Sequence, residues 1–497
     1  MRSLFLLSVV AFASACGGPP TRPEATTPKA DLVILQLNDV YEMNPISGAG
    51  GLARVATLRD RLAAEGEVLT LLAGDFLSPS AIGLAKVDGE RLAGAQMVAT
   101  FNAMGLDLVT FGNHEFDVKE AQLLSRLGES KFKWISSNVT RADGSAFPGV
   151  ETHMVRTVRG VKVGLFGLTL DSNKQPWVKY DTDYQGIARR EVAALKAEGA
   201  EVIVAMTHLD LHDDIALAGA VPEIDIIVGG HEHENWRVDR GSDMTPVRKA
   251  DANARTVFVH RINRAPGQAK VDSTLVPIDA SLPDQAATAK VAAEWTKKAF
   301  DSFRADGLNP EKEVTTAWTD FDGHESSVRN TCTDLTDVIG ESMLIEGAPI
   351  SVYNGGSIRI DDTLPEGTKI TEYDVLRVLP FGGKVVAGQW TGALLGQVLD
   401  AGYGNRGKGG WLQLQGITGQ PGAWMIGGAA LDPAATYAVV TTEFLLTGQE
   451  ENLGFLKRDN PGISGLKDGP DVRQLLIGRL AKGRLDSPRN CPKAAHP

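Results

Sequence analysis

Polar side chains that commonly bind metal ions follow five apolar runs in the first half of the sequence. The runs occupy residues 32–37, 68–73, 106–111, 202–206 and 224–228. Carboxylate, amide and imidazole groups suit Mn, Zn, Fe, Co or Mg better than they suit metals that prefer thiolate ligands. The residues that we predict to bind metal are Asp39, Asp75, Asn113, His208, His231 and His233.

This ligand set is large enough for two divalent ions. We expect Asp75 to bridge the ions, with Asp39 and His233 completing one site and the other three residues completing the second. Two ions about 4 Å apart can activate a bridging water as hydroxide and hold the attacking and leaving oxygens of a phosphate ester. The predicted chemistry is therefore metal-assisted phosphoryl hydrolysis without a covalent phosphoenzyme.

An α/β fold would bring these distant residues together. Each apolar run has the length of a strand, and segments with helical periodicity lie between the runs at 54–64, 97–104 and 187–197. Ligands of open α/β sheets bind beyond the carboxyl ends of the strands, so the polar clusters should meet in one crevice. A sixth run, 161–170, is followed by Asp171 alone.

Each cluster also has an ordinary structural explanation. A single Asp after a strand more often caps a helix than binds metal, because its short carboxylate satisfies free backbone N–H groups. A lone His208 would more often be a hydrogen-bonded loop residue. The segment Gly229-Gly230-His231-Glu232-His233 has few structural uses, however, and the occurrence of every cluster at a strand end favours metal binding.

The composition is that of a folded, acidic protein. The 497 residues include 50 Lys plus Arg and 62 Asp plus Glu, which gives a formal net charge of −12, and 43% of the residues are hydrophobic. Two to three domains are expected, and disorder, collagen and coiled coil are disfavoured. Binding to a nucleic acid polymer is also disfavoured, because phosphate contacts need clustered Lys and Arg. Local cations or metal ions would therefore have to hold an anionic substrate.

The N-terminus is typical of an exported protein. One Arg precedes a short apolar run that ends in Ala13-Ser14-Ala15-Cys16, which is similar to a bacterial lipobox, with a non-lipidated A-x-A cleavage site as the alternative. We predict a signal peptide over 1–16, a flexible tether over 17–30, and a location in the periplasm or outer membrane with a lipid anchor at Cys16. In an oxidising compartment, Cys332 and Cys491 could form a disulfide or remain unrelated thiols.

The clusters resemble the motifs of calcineurin-like metallophosphoesterases, and more closely those of the two-domain 5′-nucleotidase and UDP-sugar hydrolase family. The G-D, G-N-H-E-x-D, strand-end His and G-G-H-x-H motifs of that family all have counterparts in order. The resemblance implies that the six residues named above are metal ligands. It also implies that His114 and Asp117 are catalytic, with the imidazole stabilising the transition state or leaving oxygen and the carboxylate orienting the imidazole.

One position departs from the family pattern. The first family motif is D-x-H, whereas this sequence reads Asp39-Val40-Tyr41, so a phenol replaces the expected imidazole. A phenol, with a reference pKa near ~10, is a poor metal ligand unless the metal lowers that pKa. We therefore expect the first site to be weaker, completed by water, or selective for a different ion, with Tyr41 as a further candidate ligand.

Motifs in the second half resemble the substrate-binding domain of the same family. The segment from Asn354 to Arg359 is similar to the N-G-G-x-I-R turn, although a strand followed by Asn-Gly-Gly is also typical of a hairpin. Trp411 and Phe455 match aromatic residues that stack on a nucleobase, with core packing as the alternative, and Arg406 loosely matches a second substrate arginine. The predicted substrate contacts are Asn354, Gly356, Arg359, Arg406, Trp411 and Phe455.

The resemblance implies a four-layer α/β/β/α metallophosphoesterase domain over 31–283 and a smaller α+β C-terminal domain over 313–490. The segment between them, 284–312, has helical periodicity and is expected to connect the domains.

These features predict an exported 5′-nucleotidase-like hydrolase that uses two divalent metal ions. Its predicted substrate is a nucleotide or another phosphate ester. A phosphodiesterase acting on cyclic nucleotides or UDP-sugars is the enzymatic alternative. A non-catalytic surface lipoprotein that binds nucleotide or metal is the alternative from another class. His114 and Asp117 favour an enzyme, because neither is needed merely to bind metal, and the oligomeric state stays open.

Overall fold

A computed structural model describes residues 30–484 of the chain. The predicted anchor residue Cys16 and the predicted disulfide partner Cys491 lie outside the described residues, whereas Cys332 is disulfide-bonded. Within 30–484, no helix combines the length and the apolar character that crossing a bilayer requires.

The first large sheet has seven strands, and three of these strands are each followed in the sequence by a predicted polar cluster. Leu32–Leu37 pairs in parallel with Leu69–Leu72, which pairs in parallel with Leu108–Thr110. Because these strands run in one direction, the residues that follow them lie at one edge of the sheet. In order across the sheet, the strands are Lys270–Pro277, Thr256–Asn263, Leu32–Leu37, Leu69–Leu72, Leu108–Thr110, Lys133–Ile135 and Val150–Glu151.

The second large sheet has six strands and carries the histidine clusters. Val202–His208 lies between Val161–Thr169 and Ile226–Gly229 and is parallel to both. His208 is therefore the last residue of its strand, and the second histidine segment begins directly after the neighbouring strand. In order across the sheet, the strands are Trp236–Arg240, Thr245–Lys249, Ile226–Gly229, Val202–His208, Val161–Thr169 and His153–Val158.

The two sheets pack face to face, and helices cover their outer faces. Ile34 and Leu71 of the first sheet and Leu165 and Met206 of the second belong to one buried apolar cluster. Burial of each such side chain stabilises the fold by about 1.5–3 kcal/mol. The covering helices are Leu52–Ala63, Ala95–Met104, Glu120–Glu129 and Ala286–Ala305 on the first sheet, and Tyr184–Ala197 and Leu211–Ala220 on the second. The predicted four-layer α/β/β/α arrangement is confirmed.

The helix Ala286–Ala305 lies within the segment 284–312 that the sequence suggests as a connection. Its residues Ala292, Ala299 and Phe303 are buried in the same apolar cluster as the helices of the first sheet. The helix therefore extends the core of the N-terminal half before the chain enters the second half.

The C-terminal half is a smaller α+β unit, as predicted, and is built on a five-stranded sheet. Separate apolar clusters are associated with this unit. In order across the sheet, the strands are Leu412–Gln415, Ile350–Asn354, Thr436–Thr442, Lys384–Thr391 and Ile463–Asp471. Its longer helices are Asp334–Ser342, Glu372–Val378, Gly392–Gly404 and Val472–Leu480. The N-G-G-x-I-R segment begins at the end of an internal strand of this sheet.

Short elements complete the described chain. Single-turn helices are Ala81–Leu84 and Glu325–Val328, and 3₁₀ turns are His114–Asp117 and Gly355–Ser357. Small two-stranded sheets pair Lys86–Val87 with Glu90–Arg91, Val139–Arg141 with Val178–Tyr180, Glu313–Thr316 with Lys369–Thr371, and Phe321–Asp322 with Thr363–Leu364. A small three-stranded sheet contains Ile417–Thr418, Met425–Ile426 and Ala429–Ala430.

Candidate metal centre and active site

Asp39, Asp75, Asn113 and His208 form a buried cluster at the edge that the two large sheets share. His208 Nε2 lies 3.2 Å from Asp75 Oδ2, 3.8 Å from Asp39 Oδ1 and 3.2 Å from Asn113 Oδ1. One ligand atom from each of Asp39, Asp75 and His208 lies within 4.8 Å of the other two. The structure therefore brings together four predicted ligands from four different strand ends.

The imidazole of His208 is oriented by the backbone. Its Nδ1 lies 2.7 Å from the carbonyl oxygen of Ala73, which can only accept, so Nδ1 carries a hydrogen and Nε2 faces the carboxylates. Burial opposes protonation of this imidazole, but the Asp75 and Asp39 carboxylates raise its pKa to about 9. A divalent cation held by the same carboxylates would take the place of the proton on Nε2.

Several predicted ligands have a left-handed backbone conformation. The φ angles of Asp39, Asp75, His231 and His233 are 53°, 59°, 89° and 55°. Such angles are uncommon outside glycine and cost roughly 1–3 kcal/mol each, a strain that clusters at functional sites. Gly112 allows the Asp75 carboxylate to lie close to the backbone of the Asn113 loop, because a Cβ atom at position 112 would lie 2.1 Å from Asp75 Oδ1. The sharp turns after the strands thus direct these side chains to one edge at the expense of stability.

His231 and His233 lie on one loop but contact different groups. His233 Nε2 lies 3.5 Å from Asp39 Oδ1. The backbone N–H of His231 donates to Asp39 Oδ2 at 2.9 Å, and its ring lies 5.3 Å from that of His208 between centroids. His231 Nε2 lies 3.3 Å from Asp210 Oδ1 at the rim of the site. The structure therefore directs His233 at the buried cluster and leaves the His231 imidazole at its rim.

A buried lysine anchors this histidine loop. Lys249 Nζ contacts the Glu232 carboxylate and lies 2.9 Å from Asp214 Oδ2, and both Lys249 and Asp214 are fully buried. Lys249 also donates to the carbonyl oxygen of Gly230 at 2.8 Å. Glu232 lies between the two predicted histidine ligands, so this ion-pair network fixes the loop that carries them. Sequence reasoning gave neither Glu232 nor Lys249 a role.

The predicted catalytic pair is assembled next to the metal cluster. His114 Nδ1 lies 2.6 Å from Asp117 Oδ2, and the His114 backbone N–H donates to Asp75 Oδ1 at 2.8 Å. Burial opposes protonation of His114, but the Asp117 and Asp75 carboxylates raise its pKa. Asn173 Nδ2 donates to Asp117 Oδ1 at 2.8 Å and so holds the carboxylate in place. Asn173 follows the sixth apolar run, for which the sequence suggested only Asp171.

Glu115 ties together the two loops that carry Asp75 and Asn113. Its carboxylate accepts hydrogen bonds from the backbone N–H groups of Asp75, Gly112, Phe76 and Leu77 at 2.9, 2.6, 2.8 and 3.2 Å. Burial and the nearby Asp75 carboxylate raise the pKa of Glu115 to about 7. Its place in the G-N-H-E motif was visible in the sequence, but its structural role was not.

Tyr41 lies between Asp75 and His233, two residues that were predicted to form the first metal site. Its Oη donates to Asp75 Oδ2 at 3.0 Å and lies 3.2 Å from His233 Nε2. Burial, together with the Asp75 and Asp39 carboxylates, raises the pKa of the phenol well above its usual range. In this arrangement Tyr41 is a neutral hydrogen-bond donor to the cluster.

The C-terminal half contributes charged groups to the same site. Arg359 Nη2 lies 3.4 Å from His114 Nε2, and Arg359 Nη1 donates to Glu325 Oε1 at 3.0 Å. Arg329 pairs with the same Glu325 oxygen. Burial opposes ionisation of Glu325, but Arg329 and Arg359 hold its pKa below the usual range. Arg359 therefore lies beside the predicted catalytic pair, and Arg329, which shares its Glu325 partner, is a residue that the sequence did not reveal.

Asp39 provides a test of whether a metal ion fits the cluster. Its Oδ1 atom is buried and has no hydrogen-bond partner among residues 30–484, although the imidazoles of His208 and His233 are near it. An unpaired buried carboxylate oxygen is unfavourable unless a cation or a donor satisfies it. Carboxylate oxygens, an amide oxygen and imidazole nitrogens are suitable ligands for a divalent ion of the Mn, Zn, Fe, Co or Mg group. The residues present therefore fit such an ion.

The predicted substrate contacts are brought together only in part. Asn354 Nδ2 donates to Glu450 Oε2 at 2.8 Å, and the Gly356 N–H donates to the carbonyl oxygen of Gly409 at 2.8 Å. Both residues therefore have partners within the C-terminal half. Among the predicted contacts, Arg359 is the one for which the structure gives a direct contact with the catalytic pair.

The two predicted stacking aromatics have different neighbours. The Trp411 ring lies 5.5 Å from that of Tyr403 between centroids, and the Arg406 guanidinium lies 5.9 Å from the Trp411 ring. Trp411 also lines a cavity of about 330 Å³ together with Tyr403 and Trp424. Phe455 packs instead against the core of the C-terminal half, and no ring contact joins it to Trp411 within the described part of the chain. Arg406 thus lies beside Trp411, whereas the contacts of Phe455 are with the apolar cluster of the C-terminal half.

Comparisons with known families match both halves of the chain. Residues 32–235 match the calcineurin-like phosphoesterase family, and residues 313–457 match the 5′-nucleotidase C-terminal domain family.

Two curated relatives cover different shares of their own lengths. The 5′-nucleotidase of Vibrio cholerae is 25% identical over 551 aligned positions, which cover 96% of this chain and 95% of that protein. The trifunctional nucleotide phosphoesterase YfkN of Bacillus subtilis is 28% identical over 371 residues, which cover 64% of this chain and 24% of that protein. The chain thus spans nearly the whole of the first relative but about a quarter of the second.

Solved structures share the fold of this chain. The 5′-nucleotidase precursor of Thermus thermophilus superimposes with a TM-score of 0.75 at 24% identity, covering 91% of this chain and 96% of that chain. The sulfate thiohydrolase SoxB of the same organism superimposes with a TM-score of 0.69 at 16% identity, covering 92% of this chain and 95% of that chain.

Proposed function

Because this chain belongs to the hydrolase family that joins a calcineurin-like phosphoesterase domain to a 5′-nucleotidase C-terminal domain, we propose that it releases phosphate from nucleotides with the help of two divalent metal ions. The observation that carries the proposal is the connection from Asp75 through the backbone of His114 to Asp117, with Arg359 facing the same imidazole. Metal ligands, a proton-transferring pair and an anion-binding group thus converge at one place.

The proposed metal ions would be held by Asp39, Asp75, Asn113, His208, His231 and His233, with Asp75 shared. When bound, such ions supply a water of lowered pKa and neutralise charge on a phosphate ester. His233 Nε2 lies 3.5 Å from Asp39 Oδ1, and His208 Nε2 lies 3.2 Å from Asn113 Oδ1, which supports these two ligand pairs. Asp39 Oδ1 is also 3.8 Å from His208 Nε2, so the two proposed sites would be adjacent.

His114 is proposed to assist the departure of the leaving oxygen. Asp117 accepts the hydrogen of Nδ1, and the raised pKa of the imidazole favours a second hydrogen on Nε2. Arg359 Nη2 lies 3.4 Å from His114 Nε2 and also presents hydrogens, so an oxygen placed beside both groups could accept from each of them. A phosphate oxygen is such an acceptor, and positioned proton transfer of this kind contributes about 10²- to 10⁴-fold to rate.

The C-terminal half is proposed to bind the rest of the substrate. Glu325 holds Arg329 and Arg359 side by side, and guanidinium forks suit phosphate oxygens. Trp411 with Arg406 offers a flat ring for a nucleobase. The segment 444–455 lacks the Gly-Asp pair of the family motif F-L-x-x-G-G-D-G-F and carries Glu450, which accepts from the side-chain amide of Asn354. This change favours a substrate that differs from a standard nucleoside monophosphate.

A phosphodiesterase activity is the second candidate. The relative YfkN is named a trifunctional nucleotide phosphoesterase, and the same cluster of metal ligands could serve a diester. Parallel turnover of AMP, UDP-glucose, 2′,3′-cyclic AMP and bis(4-nitrophenyl) phosphate distinguishes the candidates. Preference for AMP supports the nucleotidase, and preference for the diesters supports the alternative.

Replacement of Asp75 by Asn tests the shared-ligand proposal. Turnover of the preferred substrate in Mn²⁺ is expected to be abolished, because the variant loses a negative charge that both ions would share. Retained turnover in this variant, or in the wild-type protein after chelation, would refute the mechanism. If the protein releases no phosphate with any of the metal ions, the non-catalytic alternative is favoured.

Export with a lipid anchor at Cys16 is also proposed, on the basis of the lipobox-like segment alone. Incorporation of radiolabelled palmitate into the wild-type protein, lost in Cys16→Ser, is the expected result. Equal labelling of the two proteins would contradict the anchor and leave the enzymatic proposal unaffected.

A further inference from the structure

We propose that Asp361, which belongs to the C-terminal half, orients His233 and thereby sets the affinity of the first metal site. The proposal rests on the proposed function, because it assumes that His233 binds a metal ion. It assigns a positioning role to a residue that neither the motifs nor the substrate contacts had suggested.

The contact joins the two halves of the molecule at the metal cluster. Asp361 Oδ2 accepts a hydrogen bond from His233 Nδ1, and the two side chains are each only 18% exposed. The other oxygen, Oδ1, accepts from the backbone N–H of Glu325 at 2.8 Å. Both carboxylate oxygens of Asp361 are therefore engaged, which holds the side chain in one orientation.

The backbone at Asp361 also indicates that this placement is specific. Its φ angle is 42°, in the left-handed region that favours glycine. A non-glycine residue in this conformation is unfavourable, and such residues persist where the surrounding structure determines them. Here the conformation presents a carboxylate to an imidazole of the other half.

The contact determines which nitrogen of His233 faces the cluster. With Nδ1 donating to Asp361, Nε2 is directed at Asp39 Oδ1, 3.5 Å away, and at Tyr41 Oη, 3.2 Å away. A carboxylate bound to the far nitrogen of a metal-binding histidine fixes the ring and raises its basicity. Since Tyr41 stands where the family has an imidazole, His233 would be the main nitrogen ligand of the first site, and its orientation should matter more than usual.

Neighbouring contacts between the halves differ from this one. Asp362 pairs with Arg255, and Glu42 lies 3.7 Å from Arg377, but none of these four residues is a predicted metal ligand. Asp362 therefore provides a matched control, because its removal weakens the contact between the halves without touching His233.

The test is a calorimetric titration of chelator-treated full-length protein with Mn²⁺. Asp361→Ala is expected to weaken one of the two sites by about 10- to 100-fold and to leave the other unchanged. Asp361→Asn keeps an acceptor for Nδ1 and should lose less. Asp362→Ala should change either affinity by less than about fivefold, as expected for a partly exposed ion pair.

The outcomes separate this inference from the proposed function. Two Mn²⁺ ions bound by both the wild type and Asp361→Ala with equal affinities would overturn the role of Asp361 and leave the proposed function intact. Failure of the wild type to bind two ions would overturn the proposed function itself. Thermal unfolding in chelator shows whether Asp361→Ala folds. If it does not, Asp361→Gly decides the question, because glycine suits the left-handed backbone and lacks the carboxylate, and unchanged affinity in that variant overturns the inference.

Discussion

Replacement of Lys249 by Met should destabilise the protein and loosen the loop between the two predicted histidine ligands. Lys249 is fully buried, lies 2.9 Å from Asp214 Oδ2, and contacts the Glu232 carboxylate. It also donates to two backbone carbonyl oxygens at 2.6 and 2.8 Å. Methionine has a similar volume but removes the donor of three hydrogen bonds and the cation that pairs with Asp214.

The expected loss follows from breaking a buried ion pair. Removing one partner of such a pair typically costs about 3–5 kcal/mol, because the other charge stays buried. Burial raises the pKa of Asp214, so this carboxyl group can take up a proton in the variant and become neutral. We therefore expect a loss of about 3 kcal/mol near pH 8 and a smaller loss near pH 5, where proton uptake is easier.

Urea unfolding in the presence of a chelator measures this loss without a contribution from bound metal. The control is Lys467→Met, whose partner Glu346 lies 3.0 Å away at the surface and whose loss should cost at most about 1 kcal/mol. The double variant Asp214→Asn with Lys249→Met should recover part of the stability. A free energy of unfolding for Lys249→Met within about 1 kcal/mol of the wild type would refute the role assigned to this network. Unchanged Mn²⁺ affinity would show that the network does not hold the histidine loop.

Three further predictions concern two residues of the site and His153, a histidine away from the site. Asp117→Asn should lower kcat by about 10²- to 10⁴-fold while Mn²⁺ affinity, measured by titration, stays within the error of the wild type; a loss of metal instead would contradict the catalytic role. Tyr41→His should tighten the first metal site by about tenfold or more, equivalent to about 1.4 kcal/mol, and an unchanged titration would show that this position does not face the ion. The pKa of His153 is raised because its contacts with Glu198 and Glu191 outweigh burial, so its stabilising effect is present at low pH and disappears as pH rises through the raised pKa. The free energy of unfolding of His153→Gln should therefore be about 1 kcal/mol below that of the wild type at pH 6 and equal to it at pH 9. A difference between the two proteins that grows with pH would contradict this prediction.

The strand ends were predictable because apolar runs and polar ends leave a strong local pattern. The runs near 32–37, 161–170 and 202–206 became strands with nearly the expected bounds. Parallel pairing within each sheet and face-to-face packing of the two sheets brought their ends together. The four-layer arrangement followed from the family resemblance and is confirmed.

Residues that support the site from a distance could not be predicted. Glu115 belongs to the G-N-H-E motif, but it acts by accepting four backbone hydrogen bonds, and the motif alone does not show which N–H groups it would bind. Lys249 is a buried lysine in a strand, and only the tertiary structure supplies its acidic partners. Arg329 and Asp361 reach the site from the C-terminal half, so their roles depend on how the two halves meet.

The stacking pair was the weakest prediction because it relied on one altered motif. Trp411 aligns with the G-x-F-L-Q stretch of the family, whereas the segment before Phe455 lacks the family's Gly-Asp pair and carries Glu450 and Glu451. In the structure the half-buried Phe455 packs against the core, and Glu450 accepts a hydrogen bond from Asn354 Nδ2. Core packing, the alternative for both aromatics, therefore describes Phe455 better than Trp411.

The number and position of bound metal ions test the central claim most directly. Crystals of the full-length protein soaked with Mn²⁺ and a nucleotide, measured at the Mn absorption edge, would give both. We predict two anomalous peaks on either side of Asp75, one beside Asp39 and His233 and the other beside Asn113 and His208. No peak, or a single peak away from Asp75, would contradict the account.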